Sequence, residues 1–377
     1  QTPLFTASSN GHENIVQFLV KSGAGINLAD KHGQTPLFTA SSNGHENIVQ
    51  FLVKSGAGID LADKYGQTPL FVASSQGHEK IVDCLVKCKV DIDHVDNDGW
   101  TPLYVASYNG HKKTVQCLVI HKAQIDFVDK YDRSPLYAAV SNGHEEVVQY
   151  LVECGVRIHR VDKCGEPPLY AASSKSQKRI VQYLRKCDAE INRLDENGCT
   201  PLYQASENGC QEIVQDLVKC GANINFVNTS GKTPLYVASR NGYEEIVKCL
   251  VKCGADINHD VYGKTPLYVA SENGHEKVVT YLVENGAEIN RTDYTNCQTP
   301  LYVASRNGYE KVVTYLVEKG AKVNNDNYRG RTPLHAGSEN GHEKIVKFLV
   351  KRGAEINRAD EDGQTPLCVA FEKGHTQ

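Results

Sequence analysis

The sequence predicts an all-α fold, a solenoid of stacked helix-turn-helix units, and three observations carry that reading. Proline falls at 3, 36, 69, 102, 135, 168, 201, 234, 266, 300, 333 and 366, in steps of 33 residues with one of 32 and one of 34. Around each proline lies one frame, Thr-Pro-Leu-aromatic-x-Ala-Ser-x-Asn-Gly-His. An apolar Ile/Val-Val-x-x-Leu-Val stretch, Gly-Ala-x-Ile-Asn and a closing Asp-x-x-Gly follow it. Self-similarity at such a period marks units that bury their apolar faces only by stacking on neighbours. The chain reads as a single solenoid over 1–377, with eleven full repeats of about 33 residues and a partial twelfth at 365–377.

Each part of the frame has a physical role. Thr is a good helix N-cap and Pro suits the first helical position, so each repeat opens with a short helix. Asn-Gly ends it, because Gly takes the left-handed C-terminal conformation without strain. In the first repeat, Ile15, Val16, Leu19 and Val20 form an apolar stripe that predicts a second helix, closed by Gly23. "INLADKHGQ" (26–34) has no helical period and predicts a turn-rich finger leading into the next repeat.

With residues such as Thr35-Pro36-Leu37, Asn43-Gly44-His45 and Gly56-Ala57, the chain resembles an ankyrin repeat array over essentially its whole length. The resemblance implies antiparallel helix pairs in an L, β-hairpin-like fingers, and a concave face made of fingers and first helices. It specifies a fold and leaves function open, since the family serves many partners. The chain departs from the family by placing Phe or Tyr where Thr-Pro-Leu-His is usual; only His335 keeps the His, and Cys368 differs again.

Composition narrows the function class. Hydrophobic residues make up 40% and charged residues 23%, which are globular values. The net charge of −4 gives no global pull toward nucleic acid, and no apolar run reaches the ~20 residues of a membrane span, so no membrane insertion is expected. The 13 cysteines are spread through helical positions, which points to a reducing, cytoplasmic setting, membrane-peripheral if the parent protein is an adaptor. The chain has no Met and opens and closes in mid-template, so it reads as an excerpt of a longer protein. Such ends predict exposed apolar residues, Leu4 and Phe5 at one and Val369 and Phe371 at the other, and with them end-to-end self-association.

No enzyme is read here, and no cofactor. "GHEN" lacks the second His of a zinc-protease helix, since Val16 stands four residues after His12. The two Gly-Lys-Thr steps, at 231–233 and 263–265, have Phe226 and Asn258 where a phosphate loop needs Gly. Cys84/Cys88 and Cys249/Cys253 are i, i+4 pairs, and Cys154, Cys187, Cys220 and Cys253 form a ladder at one repeat position. They are read as buried or half-buried thiols, with no metal site expected.

A protein or peptide partner is expected, bound through residues outside the structural frame. Of the 19 tyrosines, seven follow the frame Leu, four lie on second helices and two replace the frame His. Six remain: Tyr65, Tyr131, Tyr262, Tyr294 and Tyr328 on fingers, and Tyr108 late in a first helix. Trp100, the one tryptophan, sits at a finger end, and Trp100, Tyr108, Tyr131 and Arg133 come from adjacent repeats. These four form the candidate partner-binding patch.

The repeat at 167–199 departs most from the frame. Pro167 replaces the Thr cap, and Ser176 and Asp188 replace glycines. Eight basic residues (Arg157, Arg160, Lys163, Lys175, Lys178, Arg179, Arg185, Lys186) stand against two acids between 157 and 186. Lys163, Lys175 and Lys178 are therefore candidate contacts for an acidic or phosphorylated partner, and the lost caps make the repeat a candidate hinge. Nucleic acid is not expected, because no stacking aromatics interleave the basic stretch. The leading reading is a non-catalytic interaction scaffold. The alternative is a regulatory or targeting array of a larger enzyme or ion channel whose active domain lies outside the sequence.

Overall fold

Every Thr-Pro step starts a helix in the computed structural model, which describes residues 2–375. Twenty-three helices, α1 to α23 in chain order, account for the regular structure of the described residues. First helices of seven or eight residues alternate with second helices of nine. In α1 (Pro3–Ser9) Thr2 Oγ1 accepts the Phe5 N–H at 3.1 Å, and in α3 (Pro36–Ser42) Thr35 Oγ1 accepts that of Phe38 at 3.2 Å. In so short a helix the capped N–H is a large share of the unpaired donors.

The Asn-Gly-His segment closes the first helix and ties it to the repeat before. Gly44 lies at φ +81°, and a Cβ there would sit 2.8 Å from the His78 ring of the next repeat. Glycine is thus required both by conformation and by close approach. His78 donates its Nε2–H to the Ser42 carbonyl at 3.1 Å, and His45 does the same to Ser9 at 2.9 Å. Asn43 donates to that Ser9 carbonyl as well, at 2.9 Å.

Of the predicted first-repeat stripe only Val16 is buried, Leu19 and Val20 are half-buried and Ile15 is exposed, whereas the second repeat buries three of the four positions. In α4 (Glu46–Lys54) Ile48, Val49 and Leu52 are buried and Val53 is only half-buried. The end residues also need correction. Leu4 and Phe5 are buried, because they face their own second helix α2 (Glu13–Lys21) and the following repeat. Ile15 (50% exposed) and Phe18 (69%) on α2 are the open apolar residues there. On α23 (Pro366–Glu372) Val369 is buried, while Leu367 (74%) and Phe371 (73%) are open.

Each finger is built on one acidic or amide side chain. Asp63 Oδ1 accepts the N–H groups of Tyr65 and Gln67 at 2.9 and 3.0 Å, and Asp96 does the same for Asp98 and Trp100. Several neighbouring fingers are joined tip to tip by single backbone bonds, among them Asn97 N–H to Tyr65 O at 2.9 Å and Lys163 N–H to Tyr131 O at 3.0 Å, while Lys130 reaches Asp98 through its side chain. The fingers are therefore side-chain-braced turns, and the one β-bridge among the described residues pairs Val261 with Lys264. That bridge lies in the finger shortened to a 32-residue step, where Asp260 holds the Gly263 N–H instead.

Two compact units divide the chain, residues 1–190 and 191–377, and the division falls inside the degenerate repeat. In that repeat α11 (Pro168–Ser174) has no side-chain cap, and Ser176 and Asp188 hold left-handed backbones at φ +59° and +62°. Asp188 is less unusual than its sequence suggests, since Lys89 and Lys122 occupy the same left-handed position in earlier repeats at +61° and +69°. Lys175 and Gln177 stand where Asn and His reach back to the preceding repeat elsewhere, and Gln177 Oε1 is buried without a partner.

Candidate partner-binding surface

All seven candidate residues lie in the first unit. The turn on Asp96 fixes Trp100, whose N–H is held at 2.9 Å. Its indole is half-buried and packs on the cluster of Phe38, Phe71, Val72 and Val105. Two rings of the following helix α7 (Pro102–Tyr108) flank it, Tyr104 at 5.0 Å and 37° and Tyr108 at 5.3 Å and 32°. The indole N–H is buried and has no acceptor. Tyr108 is 38% exposed. The sequence grouped Tyr104 with the packing tyrosines; it is indeed buried, and it also forms the floor of this stack.

Tyr131, one finger along, is 49% exposed and sits under two cations, Arg133 at 4.8 Å and Lys130 at 5.3 Å from its ring centre. Arg133 is not a free contact residue: its Nε and Nη2 lie 2.8 and 2.6 Å from Asp129 Oδ2. Lys130 likewise pairs with Asp98. These clamps hold the Tyr131 ring while it stays half-exposed, a preorganised aromatic of the kind that anchors interfaces. Asp132, between them, takes a left-handed backbone at φ +62° where the frame has Gly.

The basic residues do not form one patch. Lys163 is exposed on a fingertip and Lys175 at the end of α11, while Lys178 is half-buried at the start of α12 (Lys178–Lys186). Arg157 and Arg160 turn to Asp126, and Arg179 faces Glu145 at 3.6 Å. Finger and second-helix positions lie on different parts of each repeat, so a charge run continuous in sequence is divided in space.

The six tyrosines left outside the frame are all exposed, from 38% at Tyr108 to 77% at Tyr262. The cysteines need a correction: Cys164, Cys253, Cys297 and Cys368 are exposed rather than buried or half-buried. Sequence reasoning also passed over a grouping of Asp83, Cys117 and His121 on neighbouring second helices. Its signal was legible, because His121 lies outside the Asn-Gly-His frame, at the ladder position that holds Cys in adjacent repeats.

Family models described as ankyrin repeats (3 copies) match residues 1–63, 70–162, 136–228, 212–293, 294–360 and 324–377. A second, described as ankyrin repeats (many copies), matches 44–86. The chain belongs to the ankyrin repeat family. Among solved structures, the ankyrin repeat domain of human ASB11 aligns at a TM-score of 0.55 and 23% identity, covering 59% of this chain and 99% of that domain. That likeness speaks to the fold alone. Comparison with curated proteins gives no match. Ankyrin repeats are in general protein–protein interaction modules, typically non-catalytic, and no helix among the described residues of this array is long and apolar enough to cross a membrane.

Proposed function

We propose that this ankyrin array is a non-catalytic scaffold that binds a protein or peptide on the concave face of fingers and first helices, centred on repeats four to six. The carrying observation is the Tyr104–Trp100–Tyr108 stack beside the clamped, half-exposed Tyr131. Large rings held in place before binding lose little entropy on contact, which is the physics of an interface hot spot. Lys163 and Lys175, exposed beyond the stack, favour an acidic or phosphorylated segment in the partner. The experiment is to recover a partner on the immobilised array, identify it by mass spectrometry, and titrate it against Trp100→Ala and Tyr131→Ala. Each substitution should weaken binding by about 2 kcal/mol or more. Affinities equal to that of the parent chain would remove the site.

A further inference from the structure

On the second-helix side of repeats three and four, two neighbouring helices bring a mixed ligand set together. Asp83 lies on α6 (Glu79–Lys87); Cys117 lies on α8 (Lys112–Ile120) and His121 caps its C-terminal end. Cys117 and His121 are four residues apart, which places them one above the other on one helix face. A carboxylate oxygen of Asp83, the Cys117 sulfur and a His121 ring nitrogen all lie within 4.8 Å of one another. Asp83 Oδ1 is 3.5 Å from His121 Nε2, while Oδ2 is 2.5 Å from Lys87 Nζ. One oxygen thus faces the His121 ring and the other is held by Lys87, whose side chain lines the same groove, a contact that orients the carboxylate.

The repeat frame does not generate this set. The position of Asp83 holds Gln50 and Gln116 in adjacent repeats and that of His121 holds Cys88 and Cys154, while that of Cys117 holds Cys84 and Tyr150, so among the described residues the three donors converge only here. We infer that Asp83, Cys117 and His121 form a binding site for a borderline-soft divalent cation of the zinc class, bridging repeats three and four. This reverses the expectation that the thiols play no part in metal binding. A sulfur, an imidazole and a carboxylate are the three donor types zinc accepts, at about 2.0–2.3 Å. Closing the triangle to those distances needs inward shifts of an ångström or so from half-buried, open side chains. The fourth position faces the groove and takes water. Because the ligands come from two helices, the ion pins α6 to α8. The same two repeats carry Trp100, on the finger joining them, and Tyr108, so the ion would stiffen the repeats that carry the aromatic stack.

The test uses the full chain, reduced with a phosphine and freed of metal. Cobalt(II), whose thiolate charge-transfer band reports sulfur ligation, is titrated in and then displaced by zinc. One equivalent of cobalt should raise the band, and zinc should raise the melting temperature. Cys117→Ser should abolish the band, and His121→Gln and Asp83→Asn should each weaken binding by about tenfold or more. Cys187→Ser, at the ladder position of His121 two repeats along, should behave as the parent chain. With circular dichroism confirming that the variants fold, the inference fails if no band appears, if it survives in Cys117→Ser, if His121→Gln binds cobalt as tightly as the parent chain, or if Cys187→Ser loses the band equally.

Discussion

The degenerate repeat gives the most direct test of the frame's energetics, because three of its departures can be reversed together. Pro167→Thr restores the cap that every other first helix has, worth about 1 kcal/mol. Ser176→Gly relieves a left-handed backbone at φ +59° that costs an L-residue roughly 1–2 kcal/mol. About half of that gain is returned through the freer unfolded chain. Gln177→His removes an unpartnered buried oxygen and replaces it with a ring poised to reach the preceding repeat, as His144 reaches the Tyr108 carbonyl at 2.8 Å, worth about 1 kcal/mol. The sum is roughly 2–3 kcal/mol. Native-state amide exchange read by mass spectrometry should show 167–186 as the fastest-opening helical stretch of the first unit. In the triple variant its opening should slow by about 30- to 150-fold, with the flanking repeats changing less. Exchange already as slow as in neighbouring repeats, or unmoved by the three substitutions, would refute the reasoning.

Two further outcomes follow from the frame and the final full repeat. Gly44→Ala meets both a left-handed backbone and the His78 ring and should cost about 2–3 kcal/mol in urea unfolding; Gly56→Ala, at φ +87° with open space around it, should cost only about 1. In α21 (Pro333–Glu339) burial holds the His335 pKa below its ordinary value, and its Nδ1 accepts the Thr332 N–H at 3.1 Å. The neutral ring is thus the folded form, so its contribution is complete above the unfolded pKa of about 6.5 and fades as pH falls toward the lowered value. For Asp360 burial acts upward, but the Gln364 N–H and Arg331 outweigh it and hold the carboxyl below its ordinary range; that contribution is lost only in stronger acid. Calorimetry of the second unit's transition should show the mild-acid loss in the parent chain and its absence in His335→Gln.

Why the fold was legible and the site only partly so comes down to how each is encoded. A Thr cap, an Asn-Gly turn and an Ile-Val-x-x-Leu stripe are local, and each repeat states them again, so chance matches average out. The exposed tyrosines were legible by subtraction, since whatever the frame does not need is free to face outward; Tyr262 and Tyr294 follow that logic as well as Tyr131 does. Subtraction fails where one residue serves both purposes. Tyr104 is a frame residue by position and the floor of the Trp100 stack by geometry. Arg133 lies outside the frame, yet it spends its charge on Asp129. Contacts between repeats fail for a different reason. The i, i+4 spacing of Cys117 and His121 is visible in one helix, but their meeting with Asp83, some 34 residues earlier, depends on which faces of α6 and α8 oppose each other. That orientation is set by the stacking of the Ile81, Val82 and Leu85 stripe on Val115 and Leu118, all buried, and not by the ligand residues themselves. The apolar frame therefore fixes where polar chemistry can converge, and new ligand sets can arise on the second-helix side by substitution at outward positions without disturbing the stack.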